Sequence, residues 1–296
     1  MNGTIMAILS GVTTGIGALS YRYAERGRVL PLQLNATMGA VGIVLFSLLG
    51  AGEWRDFSPV AGGIGLAGGV SQYAAIRTLR EAMKRGPLAP AWCAMALGGF
   101  VPVIIFSLLF LGETPTPRQG LSLACALGAI AAAAANQSGK SERNGTSTFA
   151  GMAGYAVLLV LLLIFTGILN VLLKAVADLP GTVAGRNLLR SQGNVLMCFV
   201  YVGMAFSSAA ELTVARKWVV NRHALIGGAM LSFGALSAYA IILSIMTLPA
   251  VKIFVISNVT SILVVALGTA SIFHEKPNRA WCFVVLFSLL AVLLNR

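Results

Sequence analysis

VLLVLLLIFTGILNVLL, residues 157–173, carries no charge, and only Thr166, Gly167 and Asn170 interrupt its apolar run. A chain crossing hydrocarbon must satisfy every backbone amide within its own segment, which takes a helix of about 20 mostly apolar residues. The flanking residues extend this stretch to a predicted span over Phe149–Val176, and Ile253–Phe273 reads the same way. A transmembrane β-barrel needs short strands of alternating polarity instead. Unbroken runs of this length exclude it and predict an all-α integral membrane protein.

Composition agrees with that reading over the whole chain. Of 296 residues, 57% are hydrophobic and 10% charged, and the mean hydropathy is +0.86. A soluble domain carries about 25% charged residues to wet its surface. The smaller share here suffices for the ends of a helical bundle whose sides face lipid. The formal net charge of +12 is read the same way, as Lys and Arg at helix ends beside anionic headgroups. No basic run interleaved with aromatics appears, so nucleic acid is not an expected partner. Cys93, Cys125, Cys198 and Cys282 stand far apart in apolar stretches without metal-ligand spacing, so they read as small buried hydrophobes. No metal, cofactor or catalytic residue is expected.

Apolar runs bounded by charges and turn residues place about ten spans. They fall at 3–21, 32–51, 59–78, 88–111, 119–135, 149–176, 188–209, 224–246, 251–273 and 281–294. The N-terminus lacks the basic region of a signal peptide and is expected to form the first span. The polar stretch NQSGKSERNGT at 136–146 is the one clear linker. It divides the chain into a first five-helix unit, 1–135, a linker, 136–147, and a second five-helix unit, 148–296.

Similar halves invite a search for a repeat. LGETP at 111–115 and FHEKP at 273–277 follow equivalent spans, and Glu113 and Glu275 differ by 162 positions. The same offset relates Pro115 to Pro277, Pro87 to Pro249 and Gly65 to Gly227. A duplicated unit with an odd number of spans enters the membrane in opposite senses. The expectation is therefore two inverted five-helix repeats, an arrangement many secondary transporters use with the substrate site at the midplane.

Pro102, LGE at 111–113, PRQG at 117–120 and the Ala/Gly-rich helix that follows resemble the end of an EamA-type repeat. HisGlu at 274–275 and the closing span 281–294 echo it, although the second copy lacks the Gly before its Glu and has Val264 where the first has Pro102. The chain thus resembles the drug/metabolite transporter superfamily over nearly its whole length. The resemblance implies multi-pass placement in a plasma or inner membrane and alternating-access export or exchange of small metabolites.

Chemistry narrows this further. None of the nine acidic residues falls in the middle of a predicted span, which disfavours proton/cation antiport through an intramembrane carboxylate. Transport of small polar metabolites, amino acids or similar compounds, by an uncoupled facilitator, exporter or exchanger is expected. An anion or sugar-phosphate exchanger using Lys252 and Arg190 is the alternative within transport, followed by multidrug efflux. An intramembrane enzyme is disfavoured, since no HExxH, GxSxG or paired Asp appears.

Substrate-site candidates are Gln72, Tyr73, Trp92, Asn170, Asn194, Tyr239, Lys252, Ser257 and Asn258. Polar groups in hydrocarbon must face a partner or a cavity. For each of them a helix–helix hydrogen bond, worth roughly 0.6 kcal/mol, is an equally good reading. Gln192 is a further neutral polar residue within a span. Glu113 and Glu275 read as gates or as helix-end residues. Lys174 and most other basic residues near span ends are expected to snorkel to the interface. Gly11 and Gly15, and Gly65 and Gly69, form GxxxG pairs suited to close packing. Of the 21 Lys and Arg, 14 lie in odd-numbered connections and 7 elsewhere (14 + 7 = 21). That places both termini outside under the positive-inside rule, whereas the resemblance implies both inside, so orientation stays open. Expected partners are a small-molecule substrate and membrane lipids, with the chain a monomer or homodimer.

Overall fold

The computed structural model describes residues 3–25, 27–85, 94–95, 97–99, 101–112, 114, 116–118, 120–125, 127–128, 149–178, 183–245, 248, 250–272 and 279–294. Among them every regular element is helical: α1 (Gly3–Glu25), α2 (Pro31–Leu49), α3 (Pro59–Arg85), α4 (Val101–Phe110), α5 (Phe149–Asp178), α6 (Val183–Val214), α7 (Arg222–Ile245), α8 (Ala250–Ile272) and α9 (Arg279–Leu294). A 3-10 turn, Glu53–Asp56, lies between α2 and α3. Six helices contain a stretch long and apolar enough to cross a membrane, at Gly3–Tyr21, Pro31–Leu49, Gly154–Val176, Ser191–Val214, Arg222–Ile241 and Lys252–Ile272. The protein is membrane-embedded and all-helical on this account. The linker at 136–147, Trp92, Glu113 and Glu275 lie outside the described residues.

Local chemistry sets several boundaries. α2 and α3 each begin on a proline, whose missing N–H costs nothing in a first helical turn. Gly50 closes α2 by donating its backbone N–H to the Phe46 carbonyl at 2.9 Å. α3 and α6 run past their expected ends by several residues, because their polar last turns are held by side-chain partners described below. α6 bends at Gln192, whose backbone (φ −139°, ψ 23°) is not helical.

Small residues govern the packing, as they must where lipid is as apolar as any side chain. A Cβ on Gly15 would sit 2.6 Å from the Val264 Cβ, and one on Gly11 would sit 2.5 Å from the Thr260 Cβ. One on Gly167 would sit 2.5 Å from the Pro102 ring, and one on Gly98 would sit 2.6 Å from the Leu163 carbonyl. α1 therefore lies against α8, and α5 against the start of α4. Gly65 backs onto Leu196 and Phe199, Gly69 onto Val200 and Met204, and Gly227 onto Leu34. Gly39 faces Ala205 and Gly42 faces Tyr201 where α2 crosses α6.

The order of these contacts gives each helix a direction. Rising numbers meet rising numbers for α1 with α8, α3 with α6, α4 with α5 and α2 with α7. They meet falling numbers for α2 with α6. α1 opposes α7, through Ser10 with Ser237 and Gly27 with His223, and α3 opposes α5, through Gly68 with Leu169 and Ser71 with Phe165. α1, α3, α6 and α8 thus point one way, and α2, α4, α5 and α7 the other. One end of the bundle gathers residues 27–30, the last turns of α3 and the α6–α7 connection. It carries Arg28, Arg77, Arg80, Arg216, Lys217 and Arg222, and is called the basic end here. The 50–58 connection and the start of α8 lie at the far end. The main core, built on Phe46, Met197, Tyr201, Met204, Ile253 and Phe254, joins α2, α6 and α8.

Candidate functional site

α1 shows which way the bundle interior lies. Ile5, Ile8 and Leu9 are exposed on one side, the side facing lipid. Thr14 is nine residues from Ile5, about 180° round the helix, and it too is exposed. An exposed threonine opposite the lipid face borders internal space. Its Oγ1 lies 2.6 Å from Ser237 Oγ. Ser237 Oγ is in turn 2.9 Å from Ser10 Oγ, which is 2.9 Å from Ser257 Oγ. Four hydroxyls from α1, α7 and α8 thus form one chain, with Thr14 at its open end. Ser257 was expected in the site. Ser10, Thr14 and Ser237 were not, because a single hydroxyl in an apolar span carries no signal until its helix face is known.

Across the bundle, α5 exposes Val157, Val160 and Ile164 to lipid. Thr166 and Asn170 fall on the opposite side by the same count of about 100° per residue. Asn170 Nδ2 donates to the Gly99 carbonyl at 3.0 Å, at a turn just before Pro102. Thr166 Oγ1 donates back to Leu162 O at 2.7 Å. Gln72 lies on the face of α3 between its contacts to α5 (Gly68, Ser71) and to α6 (Gly65, Gly69). It is half-buried and makes no hydrogen bond among the described residues. A half-buried amide with unused donors and acceptor is available to a ligand. Gln72, Thr14 and Asn170 are therefore the described polar groups best placed to meet a bound molecule.

Other expected site residues serve the framework. Tyr73 OH donates to Glu211 Oε2 at 2.6 Å, and Arg80 donates to Glu211 Oε1 at 3.3 Å. Arg77 Nε lies 3.6 Å from the same carboxylate. This cluster joins α3 to α6 at the basic end. Asn194 donates from Nδ2 to Glu53 Oε1 at 2.5 Å, and the Asn194 and Val195 amides donate to Glu53 Oε2 at 3.0 and 3.2 Å. The bend at Gln192 frees these amides, and Glu53 caps them as an N-cap carboxylate does. Gln192 makes a two-way tie, Nε2 donating to Asp56 O and Oε1 accepting from the Ser58 amide at 2.8 Å. Gln33 makes a matching tie at the basic end, Nε2 donating to Val219 O at 2.5 Å and Oε1 accepting from the Val219 amide at 3.0 Å.

Tyr239 is half-buried and tilted against Phe46, with ring centroids 6.3 Å apart. Asn258 Nδ2 donates back to Phe254 O at 2.8 Å. Lys252 is half-buried in the first turn of α8 and has no hydrogen bond or ion pair among the described residues. Lys174 departs from expectation: it is 1% exposed and does not snorkel. It lies one turn before the end of α5 at Asp178, yet its side chain is packed inside the protein. The side chain of Arg190 lies outside the description. Among the described residues no group of His, Cys, Asp and Glu is placed to hold a metal ion.

Comparison with known proteins adds the fold alone. No family model matches the chain, and no curated protein matches it. A crystal structure of a protein of unspecified role superposes with a TM-score of 0.76 at 16% identity, covering 99% of this chain and 95% of that one.

Proposed function

We propose that the protein transports small polar metabolites by alternating access, through ten helices arranged as two inverted halves of the kind found in the drug/metabolite transporter superfamily. The observation that carries this reading is a set of reciprocal contacts between the halves. Gly65 lies on Leu196 as Gly227 lies on Leu34, and both members shift by the same amount (227 − 65 = 162; 196 − 34 = 162). Gly15 lies on Val264 as Gly167 lies on Pro102 (264 − 102 = 162; 167 − 15 = 152). Gln33 ties α2 to the α6–α7 connection at one end, and Gln192 ties α6 to the α2–α3 connection at the other. Exchange of partners between opposite ends is what an in-plane two-fold produces.

The shorter offset of the first helices supports the same reading. Pro31, the start of α2, maps onto position 193 (31 + 162 = 193), next to the bend at Gln192. Residues 183–192 of α6, ten residues or nearly three helical turns, then stand ahead of the repeated unit and account for the difference (162 − 152 = 10).

The hydroxyl and amides at Thr14, Gln72 and Asn170 suit small polar substrates such as amino acids. Lys252, half-buried in the first turn of α8 with no hydrogen bond or ion pair among the described residues, favours a second reading, exchange of anions. Counterflow into proteoliposomes separates the two, using pooled labelled amino acids, sugars, organic phosphates and cationic dyes with and without a pH gradient. Accumulation of a neutral or zwitterionic pool regardless of gradient, weakened about tenfold or more by Gln72→Ala, is expected. Accumulation of organic phosphates alone selects the second reading. Folded protein that moves no pool refutes transport of these classes.

A further inference from the structure

Where α2 crosses α6, small side chains leave the lipid-facing side open. Ala36 and Ala40 on one helix and Ala205 and Ala209 on the other leave a trough of about 520 Å³, walled by Phe206 and closed at the basic end by Trp218. Ala40, Phe206 and Trp218 are exposed along it. From Ala36 to Ile43 the trough follows seven residues of α2, about 10 Å of rise, most of the roughly 15 Å hydrocarbon depth of one leaflet. It therefore has the length and position of one lipid tail reaching from the interface towards the midplane.

The connection above it is built for a headgroup. Val214 and Val220 are 87% and 92% exposed there and Trp218 is 46% exposed, an apolar set that belongs in the interfacial layer. Between them Arg216 and Lys217 are exposed, with no ion pair among the described residues. The nearest described carboxylate in the chain, Glu211, is already engaged by Tyr73, Arg80 and Arg77. Arg216 holds a left-handed backbone (φ 49°), which a non-glycine residue adopts only where the turn imposes it, so its position in the connection is set by the fold.

We propose that this trough is a binding site for an anionic phospholipid, one acyl chain lying between α2 and α6 and the headgroup phosphate resting on Arg216 and Lys217. The acyl chain fills the crossing, and the headgroup phosphate, with its single negative charge, lies between two cations that have no ion pair among the described residues. Zwitterionic lipid supplies the same tail without the net charge.

The test is native mass spectrometry of the full chain in detergent, titrated with phosphatidylglycerol or with phosphatidylcholine of the same acyl chains. The unaltered protein is expected to retain phosphatidylglycerol in preference to phosphatidylcholine. Arg216→Asn with Lys217→Gln, an exposed pair whose first change suits the left-handed turn, is expected to weaken phosphatidylglycerol binding by about thirty-fold. Ala40→Trp, which fills the trough while leaving the cations, is expected to release the same adduct. Equal retention of the two lipids, or phosphatidylglycerol binding untouched by either variant, overturns the proposal. So does a dimer without lipid that Ala40→Trp splits, since a second copy would then occupy the trough.

Discussion

Replacing Glu53 by alanine removes the acceptor for three N–H groups at the bend of α6. Two belong to the backbone of Asn194 and Val195, at 3.0 and 3.2 Å, and one to the Asn194 amide, at 2.5 Å. Hydrogen bonds to a charged acceptor contribute about 1.5–3 kcal/mol each when well buried. Loss of a helix N-cap costs about 0.5–2 kcal/mol. Glu53 is half-buried, so water recovers part of the loss, and a net cost of about 2–3 kcal/mol follows. At roughly 2–4 °C per kcal/mol for a chain of this size, Glu53→Ala is expected to lower the melting temperature by about 5–8 °C. Glu53→Gln keeps an acceptor oxygen and forfeits the charge at a helix N-terminus, worth about 0.3–1 kcal/mol. It should fall by about 2–3 °C. Thermal unfolding of the purified protein in detergent, followed by intrinsic fluorescence, reads both. An alanine variant as stable as the parent shows that Glu53 caps nothing. A glutamine variant as damaged as the alanine one assigns the effect to charge alone and removes the hydrogen-bond account.

Gly15→Ala should cost about 1–3 kcal/mol by forcing α1 from α8. Gly63→Ala, where an added Cβ meets nothing within 4 Å, should be neutral or stabilising by up to about 1 kcal/mol; equal melting shifts for the two would contradict the packing described. Tyr73→Phe should lower stability by about 1–2 kcal/mol through its lost bond to Glu211 while leaving counterflow intact. A tenfold loss of transport at unchanged stability would return Tyr73 to the substrate path.

Much of the fold was legible because hydrophobicity writes a spanning helix directly into sequence. The expected spans at 3–21, 149–176 and 251–273 sit within a few residues of α1, α5 and α8. α6 is longer than the expected 188–209: hydropathy counts Glu211 as an interruption at its end, and the polar bend at Gln192 does not break the helix. Both are satisfied by groups more than 130 positions away, at the 50–58 connection and at Tyr73 and Arg80. The site was legible only as a pool of polar residue types. Asn194 and Gln72 look alike in a string of letters, yet Glu53 occupies the first and no described residue occupies the second. Lys174 misled for a related reason: hydropathy does not show which face of a helix packs against its neighbours, and Lys174 is buried.

On the proposed two-fold, recognition belongs to the positions where the halves differ. A frame with matched halves can open equally to either side, but matched side chains would present the same chemistry twice and grip an asymmetric molecule poorly. Thr14 and Thr166 are equivalent (166 − 14 = 152), and both lie opposite a lipid face. One turn further, Ala18 in the first half stands where Asn170 stands in the second (170 − 18 = 152), and Arg22 stands where Lys174 does. Gln72 corresponds to Gly234 (234 − 72 = 162). The amides of Gln72 and Asn170, without counterparts across the axis, therefore lie on the α3–α5 side, and the linked hydroxyls of Ser10, Thr14, Ser237 and Ser257 lie on the α1–α7–α8 side. A substrate with one strongly hydrogen-bonding pole and one weaker pole fits that asymmetry. Swapping the difference, Gln72→Gly together with Gly234→Gln, should lower transport at least as much as Gln72→Ala, because the amide then backs onto Met38. Full activity in the swapped protein would mean that the axis, and no individual side chain, decides where the substrate sits.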